Sequence, residues 1–221
     1  MADEKIERKL AVIFATDVVG FSTAMESNEN ETLKSLRACK EILNKLFEEY
    51  SGRIFNTAGD SVLAEFQSAV SAVVCASEFQ KFINNRNASV TNEQRMDFRI
   101  GVNMGDVIVE GTNLYGEGVN IAARLESYCP PGGIAISKNV YDLISQKVDF
   151  KFDDKGHQNI KNTSVHTFVL DSSDKKKSAD ISEVQGSPTR TSSLPTIAIL
   201  PLKNLSSDEE RTSPTKSRQQ P

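Results

Sequence analysis

The order of its apolar segments is the feature of this sequence that most constrains the fold. A run of β-forming residues comes first, followed by a helical pattern, a hairpin pattern, a second helical pattern and further strand-forming residues, at 9–17, 32–50, 53–66, 68–85 and 96–111. Apolar residues recur every three or four positions in an amphipathic helix and every two in a half-buried strand. The order predicts an α+β protein with a ferredoxin-like βαββαβ core, in which an antiparallel sheet carries its helices on one face.

Shorter elements are expected to follow this core. The segment MDFRIGVNMGDVIVEG, at 96–111, alternates and contains two glycines, which predicts a pair of strands or one bent strand. A short helix is expected at 120–128, and extra C-terminal strands are expected within 148–154 and 164–170. Residues 1–170 are therefore predicted to form one domain.

The composition changes after this domain. Residues 171–195 are polar and lack apolar periodicity, so they cannot bury enough surface to offset the entropy lost on ordering. We expect this segment to be a flexible linker. TIAILPLKNLSSDEE then has the pattern of a first strand and loop. Because little chain remains to pack against that strand, we expect 196–221 to be the truncated, disordered start of a further module, and the natural protein to be longer.

Charge and cysteine content limit which partners and which cellular compartment we expect. The net charge of −4 and the pI of about 5.4 give no whole-chain reason to expect nucleic acid or an acidic membrane as a partner. No apolar run approaches the roughly 20 residues needed to cross a bilayer, and the charged N-terminus is unlike a signal peptide. Cys39, Cys75 and Cys129 are widely spaced, which is typical of a reducing compartment. We expect a cytoplasmic protein without nucleic acid or membrane partners.

Two acidic residues lie where strands are expected to end. Asp17 closes the first strand in TDVVGFS, and Asp60 lies at the hairpin tip in TAGDS. We expect the first strand and the hairpin to be adjacent and central in the sheet, so that the two carboxylates form a concentrated negative site. Mg²⁺ or Mn²⁺ would neutralise it, although each acid alone is also an ordinary turn residue. The backbone amides of Val18, Gly20 and Phe21, leading into a helix, could hold phosphates.

A third segment, YGEGVNIAARLES, contains a polar pair on one helix face. Asn120 and Arg124 are four residues apart, a spacing that places them side by side on a helix. A guanidinium beside an amide suits a phosphate and a sugar, although an exposed arginine on a surface helix is common. Gly116 and Gly118 permit a close backbone approach, which favours a ligand.

Together, FATDVVGFS, TAGDSVLAEF, FRIGVNMGDV and YGEGVNIAARLE resemble the catalytic domain of the class III nucleotidyl cyclases, especially bacterial adenylate cyclases. The resemblance implies that Asp17 and Asp60 bind two divalent cations, Mg²⁺ or Mn²⁺. It implies that Asn120 orients the ribose and that Arg124 stabilises the transition state. It also implies a head-to-tail homodimer, in which one chain supplies the metal acids and the other supplies the Asn/Arg pair.

The resemblance is incomplete at the positions that read the base. Asn56 and Asn113 stand where this family usually has a lysine and an aspartate. Because an amide both donates and accepts hydrogen bonds, this pair can meet adenine, guanine or a pyrimidine. The remaining similarity favours ATP. Lys161, in the last expected hairpin, would hold the terminal phosphates by the same resemblance.

The implied function is conversion of ATP to 3′,5′-cyclic AMP and pyrophosphate for intracellular second-messenger signalling. A cyclase for GTP or a pyrimidine nucleotide is one alternative. A catalytically silent dimerisation or regulatory domain is another, which the presence of both acids and of the Asn/Arg pair disfavours. A diguanylate cyclase or a polymerase palm would also pair two acids, but the chain has no Gly-Gly-Asp-Glu-Phe signature.

Overall fold

The computed structural model of the protein describes residues 7–170. The expected linker at 171–195 and the expected further module at 196–221 lie outside the described residues. The described elements are eight strands, five helices and one 3₁₀ turn. The strands are β1 (Glu7–Val18), β2 (Arg53–Ala58), β3 (Ser61–Phe66), β4 (Phe98–Glu110), β5 (Asn113–Tyr115), β6 (Ile134–Ser137), β7 (Phe152–Ile160) and β8 (Thr163–Leu170). The helices are α1 (Phe21–Ser27), α2 (Glu29–Glu49), α3 (Ala69–Ser89), α4 (Glu117–Tyr128) and α5 (Lys138–Ile144), and the 3₁₀ turn is Asn92–Gln94.

The strands form one mostly antiparallel sheet in the order β2-β3-β1-β4-β6-β8-β7, with β5 paired to β4. Only β4 and β6 run parallel among the described pairs. The first four strands with α2 and α3 confirm the predicted βαββαβ core, and β7 and β8 confirm the extra C-terminal strands. Residues 98–110 form one long strand. The hairpin adjoins β1 through β3, but β2 is an edge strand and not a central one, since β3 alone pairs with β1.

The two long helices cover one face of the sheet, as predicted. Side chains alternate along β1, so that Val12 and Phe14 pack beneath α2 and α3. The rings of Phe14, Phe47 and Phe66 meet with centroids 5.2 to 5.9 Å apart. This cluster joins β1, α2 and β3, and it therefore fixes the hairpin against the first strand.

Helix α4 lies on the opposite face, a position that the sequence pattern did not reveal. Its Ala122 packs with Ile13 and Ala15 of β1. Helix α4 approaches β4 closely, and this approach requires glycine at position 101. A Cβ there would lie 2.2 Å from the carbonyl oxygen of Ala122. Gly118 likewise faces β4, where a Cβ would meet the Asp106 carbonyl oxygen at 2.9 Å. Gly118 thus permits a close backbone approach, as expected, but the approach is to β4 and gives no support for a ligand at this position.

Substituting Gly101 with alanine should destabilise the domain by about 3 kcal/mol or more. Overpacking typically costs ~1–3 kcal/mol, and the loss here should be at or above the upper end because the new Cβ would meet rigid backbone atoms. Urea unfolding would measure the free energy. Gly105→Ala is the matched control, since its Cβ would lie 3.1 Å from the Gly118 Cα and needs a much smaller shift. Equal losses for the two variants would contradict the close packing of α4 on Gly101.

The three cysteines are free and buried. Burial raises the pKa of Cys75 and of Cys129 to about 12, so these thiols are protonated and unreactive at neutral pH. Within residues 7–170, the helices are too short or too polar for any of them to traverse a lipid bilayer.

Candidate active site

The fold places Asp60 beside the end of β1, where Asp17 lies. Asp17 is the next-to-last residue of β1, and Asp60 follows Gly59 in the β2–β3 turn. Because β3 pairs with β1, the turn reaches the end of the first strand, and Asp60 Oδ2 accepts a hydrogen bond from the Val18 amide at 3.0 Å. Lys40 of α2 donates to the Gly59 carbonyl oxygen at 2.8 Å. This bond holds the turn in place and explains the one charged side chain in the apolar pattern of α2.

Asp17 is held by an arginine from the neighbouring strand. Arg99 is its register partner on β4, and Arg99 Nη2 donates to Asp17 Oδ2 at 2.8 Å and to Oδ1 at 3.1 Å. Arg99 Nε also lies 3.2 Å from Oε1 of Glu126 on α4. The hydrogen bond to Asp17 raises the pKa of Arg99. One guanidinium therefore lies between two partly buried carboxyl groups.

Glu126, the second carboxyl group beside Arg99, has a strongly shifted pKa. Burial, and then its hydrogen bond with Asp17, raise the pKa of Glu126 to about 8, although the charges of Arg99 and Lys161 oppose this. Its Oε1 is buried without a hydrogen-bond partner among the described residues, since the ion pair with Arg99 lacks hydrogen-bond geometry. With a pKa of about 8, the Glu126 carboxyl group is largely protonated at neutral pH, so Arg99 is left to offset the charge of Asp17.

The acids present suit a hard divalent cation. Asp17 and Asp60 offer only carboxylate oxygens, and Arg99 already lies against Asp17 as a positive charge. Within residues 7–170, no group of three or more His, Cys, Asp or Glu side chains is placed to hold a metal ion by itself. Two carboxylates would leave the other coordination positions to phosphate and water, which is how Mg²⁺ is usually held beside nucleotides.

The predicted phosphate-binding amides are only partly available. The Val18 amide is bonded to Asp60, and the Val19 amide donates to a main-chain carbonyl before β4 at 2.8 Å. Gly20 has a φ of 69° and turns the chain into α1, while Phe21 packs its ring against the core. Of the four amides from Val18 to Phe21, those of Gly20 and Phe21 have no acceptor among the described residues, so fewer amides than predicted are available to hold phosphates.

Asn120 and Arg124 lie on α4 as predicted, but they face away from the sheet. Asn120 is exposed and Arg124 half-buried, and within residues 7–170 neither side chain forms a hydrogen bond or an ion pair. Successive helical residues turn by about 100°, so Arg124 lies roughly 160° around the helix from Glu126, which is buried against Arg99. The structure therefore does not bring Asn120 and Arg124 to Asp17 of the same chain.

The remaining predicted residues lie at two other places. Asn56 is half-buried on β2 and Asn113 begins β5; their neighbours Phe55 and Leu114 belong to one apolar cluster, so these two strands pack together. Lys161 is exposed in the β7–β8 turn and is near enough to act on the charge of Glu126.

Sequence reasoning missed Arg99 and Glu126. Both lie within the quoted motifs, but nothing in the residue pattern pairs Arg99 with Asp17, because the pairing follows from the register of β1 on β4. Glu126, two residues after Arg124, could have been noticed as an acid on the apolar side of α4, since a buried carboxyl group requires a partner.

Comparison with known proteins gives matches that span most of the chain. Residues 3–172 match the family model described as "Adenylate and Guanylate cyclase catalytic domain". A protein of Rhizobium meliloti (strain 1021) named "Putative adenylate cyclase 3" is 38% identical over 213 residues, which is 96% of this chain and 36% of that protein. The chain thus spans about a third of that relative's length.

Two solved structures that share the fold are also named as cyclases. The crystal structure of an adenylate/guanylate cyclase/hydrolase from Silicibacter pomeroyi is 34% identical with a TM-score of 0.70, and the match covers 75% of this chain and 98% of that one. The adenylyl cyclase CyaB of P. aeruginosa is 26% identical with a TM-score of 0.66, covering 76% and 97%. On the family match, which spans most of the chain, this protein belongs to the class III nucleotidyl cyclase family, the adenylate and guanylate cyclases.

Proposed function

We propose that this domain converts ATP to 3′,5′-cyclic AMP and pyrophosphate, in the cytoplasm and as a second-messenger signal. The observation that carries the proposal is the hydrogen bond from the Val18 amide that holds Asp60 at the end of β1, next to Asp17, in a chain whose Asn120 and Arg124 side chains have no partner within residues 7–170. The names of the R. meliloti and P. aeruginosa relatives support ATP as the substrate.

The proposed reaction uses each group for one task. Asp17 and Asp60 would hold two divalent cations, which would supply Lewis acidity toward the ribose 3′-hydroxyl and positive charge toward the triphosphate. Asn120 orients the ribose, so that the 3′-oxygen attacks the α-phosphorus as pyrophosphate leaves. Arg124 offsets the negative charge that grows during transfer, a contribution on the order of 10²–10³ in rate for comparable donors. Lys161 binds the terminal phosphates.

The proposed site needs two chains. Arg124 faces away from the side of α4 that reaches Asp17 through Glu126, so a second copy must bring its own Asn120 and Arg124 to the acids. A head-to-tail homodimer with two such sites satisfies this requirement, because a two-fold axis exchanges the two halves.

Cation binding has to compete with Arg99 for Asp17. Replacing Arg99 with glutamine removes the competing charge, so we expect Mn²⁺ to raise the melting temperature of Arg99→Gln by several degrees more than that of the wild type. Arg37→Gln is the matched control, because Arg37 is exposed on α2 and its side chain forms no hydrogen bond or ion pair within residues 7–170, and its Mn²⁺ response should equal the wild-type response. Thermal unfolding with and without Mn²⁺ measures both. An unchanged response in Arg99→Gln would contradict cation binding at Asp17.

Product identification tests the proposed function. The protein would be incubated with Mn²⁺ and an equimolar mixture of ATP, GTP, CTP and UTP, and cyclic nucleotides separated by chromatography and mass. Cyclic AMP as the main product supports the proposal. Cyclic GMP or a cyclic pyrimidine nucleotide would support the alternative of another base. No cyclic product from a folded, dimeric protein would favour a regulatory domain.

A further inference from the structure

The two histidines of the chain face each other across the β7–β8 hairpin. The sequence contains no other histidine, and His157 is the register partner of His166. Side chains of paired residues project from the same face of a sheet, and the two imidazole ring centroids lie 4.9 Å apart. His157 is exposed and the His166 side chain is 24% exposed, so dissolved ions reach both rings.

A β-bulge in β7 brings an acid to the same face. Asp154 pairs with Phe168 and His157 with His166, so β7 advances three residues where β8 advances two. On a regular strand, residues three apart point to opposite faces, and the additional residue of the bulge returns Asp154 and His157 to one face. Gly156 lies in the bulge with a φ of 65°, and its amide donates to Asp154 Oδ1 at 2.8 Å. The bulge thus places a carboxylate beside the histidine pair.

Asp154 sets the orientation of the His166 ring. His166 Nε2 lies 2.7 Å from Asp154 Oδ1. The hydrogen bonds from the Gly156 amide and from His166 lower the pKa of Asp154, and an ionised carboxylate only accepts hydrogen bonds, so Nε2 is the donor. In the neutral ring this leaves the lone pair on Nδ1. The ring also stacks on Phe168, with an interplanar angle of 3°, which holds its plane.

The His157 ring has a partner that is compatible with the same arrangement. Its Nδ1 lies 3.3 Å from the Ser164 hydroxyl oxygen, which is able to accept the Nδ1 proton and leave the lone pair on Nε2. Histidines that bind a metal usually donate their other ring N–H to an oxygen acceptor. Each ring of the pair therefore has one nitrogen beside an oxygen atom and a second nitrogen for a ligand.

We propose that His157 and His166 form a binding site for a transition metal ion such as Zn²⁺, with Asp154 as the positioning residue that orients His166. Imidazole nitrogen suits Zn²⁺, Ni²⁺ and Cu²⁺, whereas Mg²⁺ and Mn²⁺ prefer the oxygen ligands that Asp17 and Asp60 offer. Within residues 7–170, no three His, Cys, Asp or Glu side chains are grouped to hold an ion. Water therefore completes the coordination, and the ion is exchangeable. The inference is independent of the proposed function.

Isothermal titration of the untagged protein with Zn²⁺ tests the site, with excess Mg²⁺ present to occupy sites made of carboxylates. The wild type should bind one Zn²⁺ per chain in a saturable manner. His157→Gln should weaken binding by at least about tenfold, since loss of even a supporting partner of a ligand costs ~10–100-fold. Because His157 is exposed, the melting temperature without metal should be unchanged. Equal Zn²⁺ affinity of the wild type and His157→Gln would overturn the proposal.

Two neighbouring acids provide a matched pair of variants. Asp154→Asn keeps an oxygen that accepts from the Gly156 amide but loses the charge that supports His166, so Zn²⁺ affinity should fall by about tenfold. Asp153 is exposed and its carboxylate pairs with Lys155 at 3.3 Å, so Asp153→Asn should stay within about twofold of the wild type. If both variants bound Zn²⁺ equally well, the positioning role of Asp154 would be wrong.

Nuclear magnetic resonance identifies the liganding atoms. Because the chain has two histidines, long-range ¹H–¹⁵N spectra of the imidazoles contain two ring systems, which His157→Gln assigns. Zn²⁺ should shift His166 Nδ1 and His157 Nε2 at the same molar ratio. Zn²⁺ binding that leaves both rings unshifted would place the ion elsewhere and overturn the site. These measurements use no nucleotide, so their outcome does not depend on whether the protein is a cyclase.

Discussion

Replacing Asp60 with asparagine should lower cyclase turnover on the order of 10³-fold or more without unfolding the domain. The amide oxygen of asparagine can still accept the hydrogen bond that the Val18 amide now donates to Asp60 Oδ2 at 3.0 Å. Lys40 still holds the turn through the Gly59 carbonyl oxygen. The variant therefore loses a negative charge and little else. Since that charge would hold the divalent cations, the expected loss is several kcal/mol of transition-state stabilisation.

Initial rates of cyclic AMP formation over a Mn²⁺ range, together with melting temperatures, would measure this effect. Asp106→Asn is the matched control, because Asp106 is an exposed acid of β4 whose one ion pair within residues 7–170 is with Arg8, and its activity should stay within about twofold of the wild type. If Asp60→Asn retained more than a tenth of the wild-type rate at saturating Mn²⁺, the two-acid cation site would be refuted.

Mixing two inactive variants should restore activity. An Asp60→Asn chain keeps Arg124, and an Arg124→Ala chain keeps Asp60, so a mixed dimer rebuilds one complete site. Random exchange makes about half of the dimers mixed with one of two sites intact, which predicts about a quarter of the wild-type activity. Arg124 is half-buried and has no side-chain partner within residues 7–170, so its truncation should not unfold the chain.

The negative control mixes two variants that are both defective in the acids of the site. Asp17→Asn chains mixed with Asp60→Asn chains can form no complete site, because both defects lie in the pair of acids at the end of β1, and such mixtures should remain inactive. Mixed dimers would be verified by differently tagged chains and size-exclusion chromatography. Inactivity of verified Asp60→Asn and Arg124→Ala mixed dimers would count against a site shared between chains.

Local patterns in the sequence were sufficient to predict the architecture. Periodicity in 9–111 placed the strands and the two long helices of the βαββαβ core, because burial of one face sets a repeat of two in strands and of three to four in helices. Turn chemistry placed Asp60 at the tip of the hairpin, and four-residue spacing placed Asn120 and Arg124 on one side of a helix. These inferences succeeded because each depends on residues near one another in the chain.

Contacts between distant residues required the folded chain. Asp17 meets Arg99 through a strand register that spans 82 positions, and such a register depends on how whole faces pack. The location of α4 opposite α2 and α3 gives Gly118 a packing role and turns Arg124 away from Asp17. A helical pattern shows which residues share a face, but the layer against which that face is buried depends on the rest of the core.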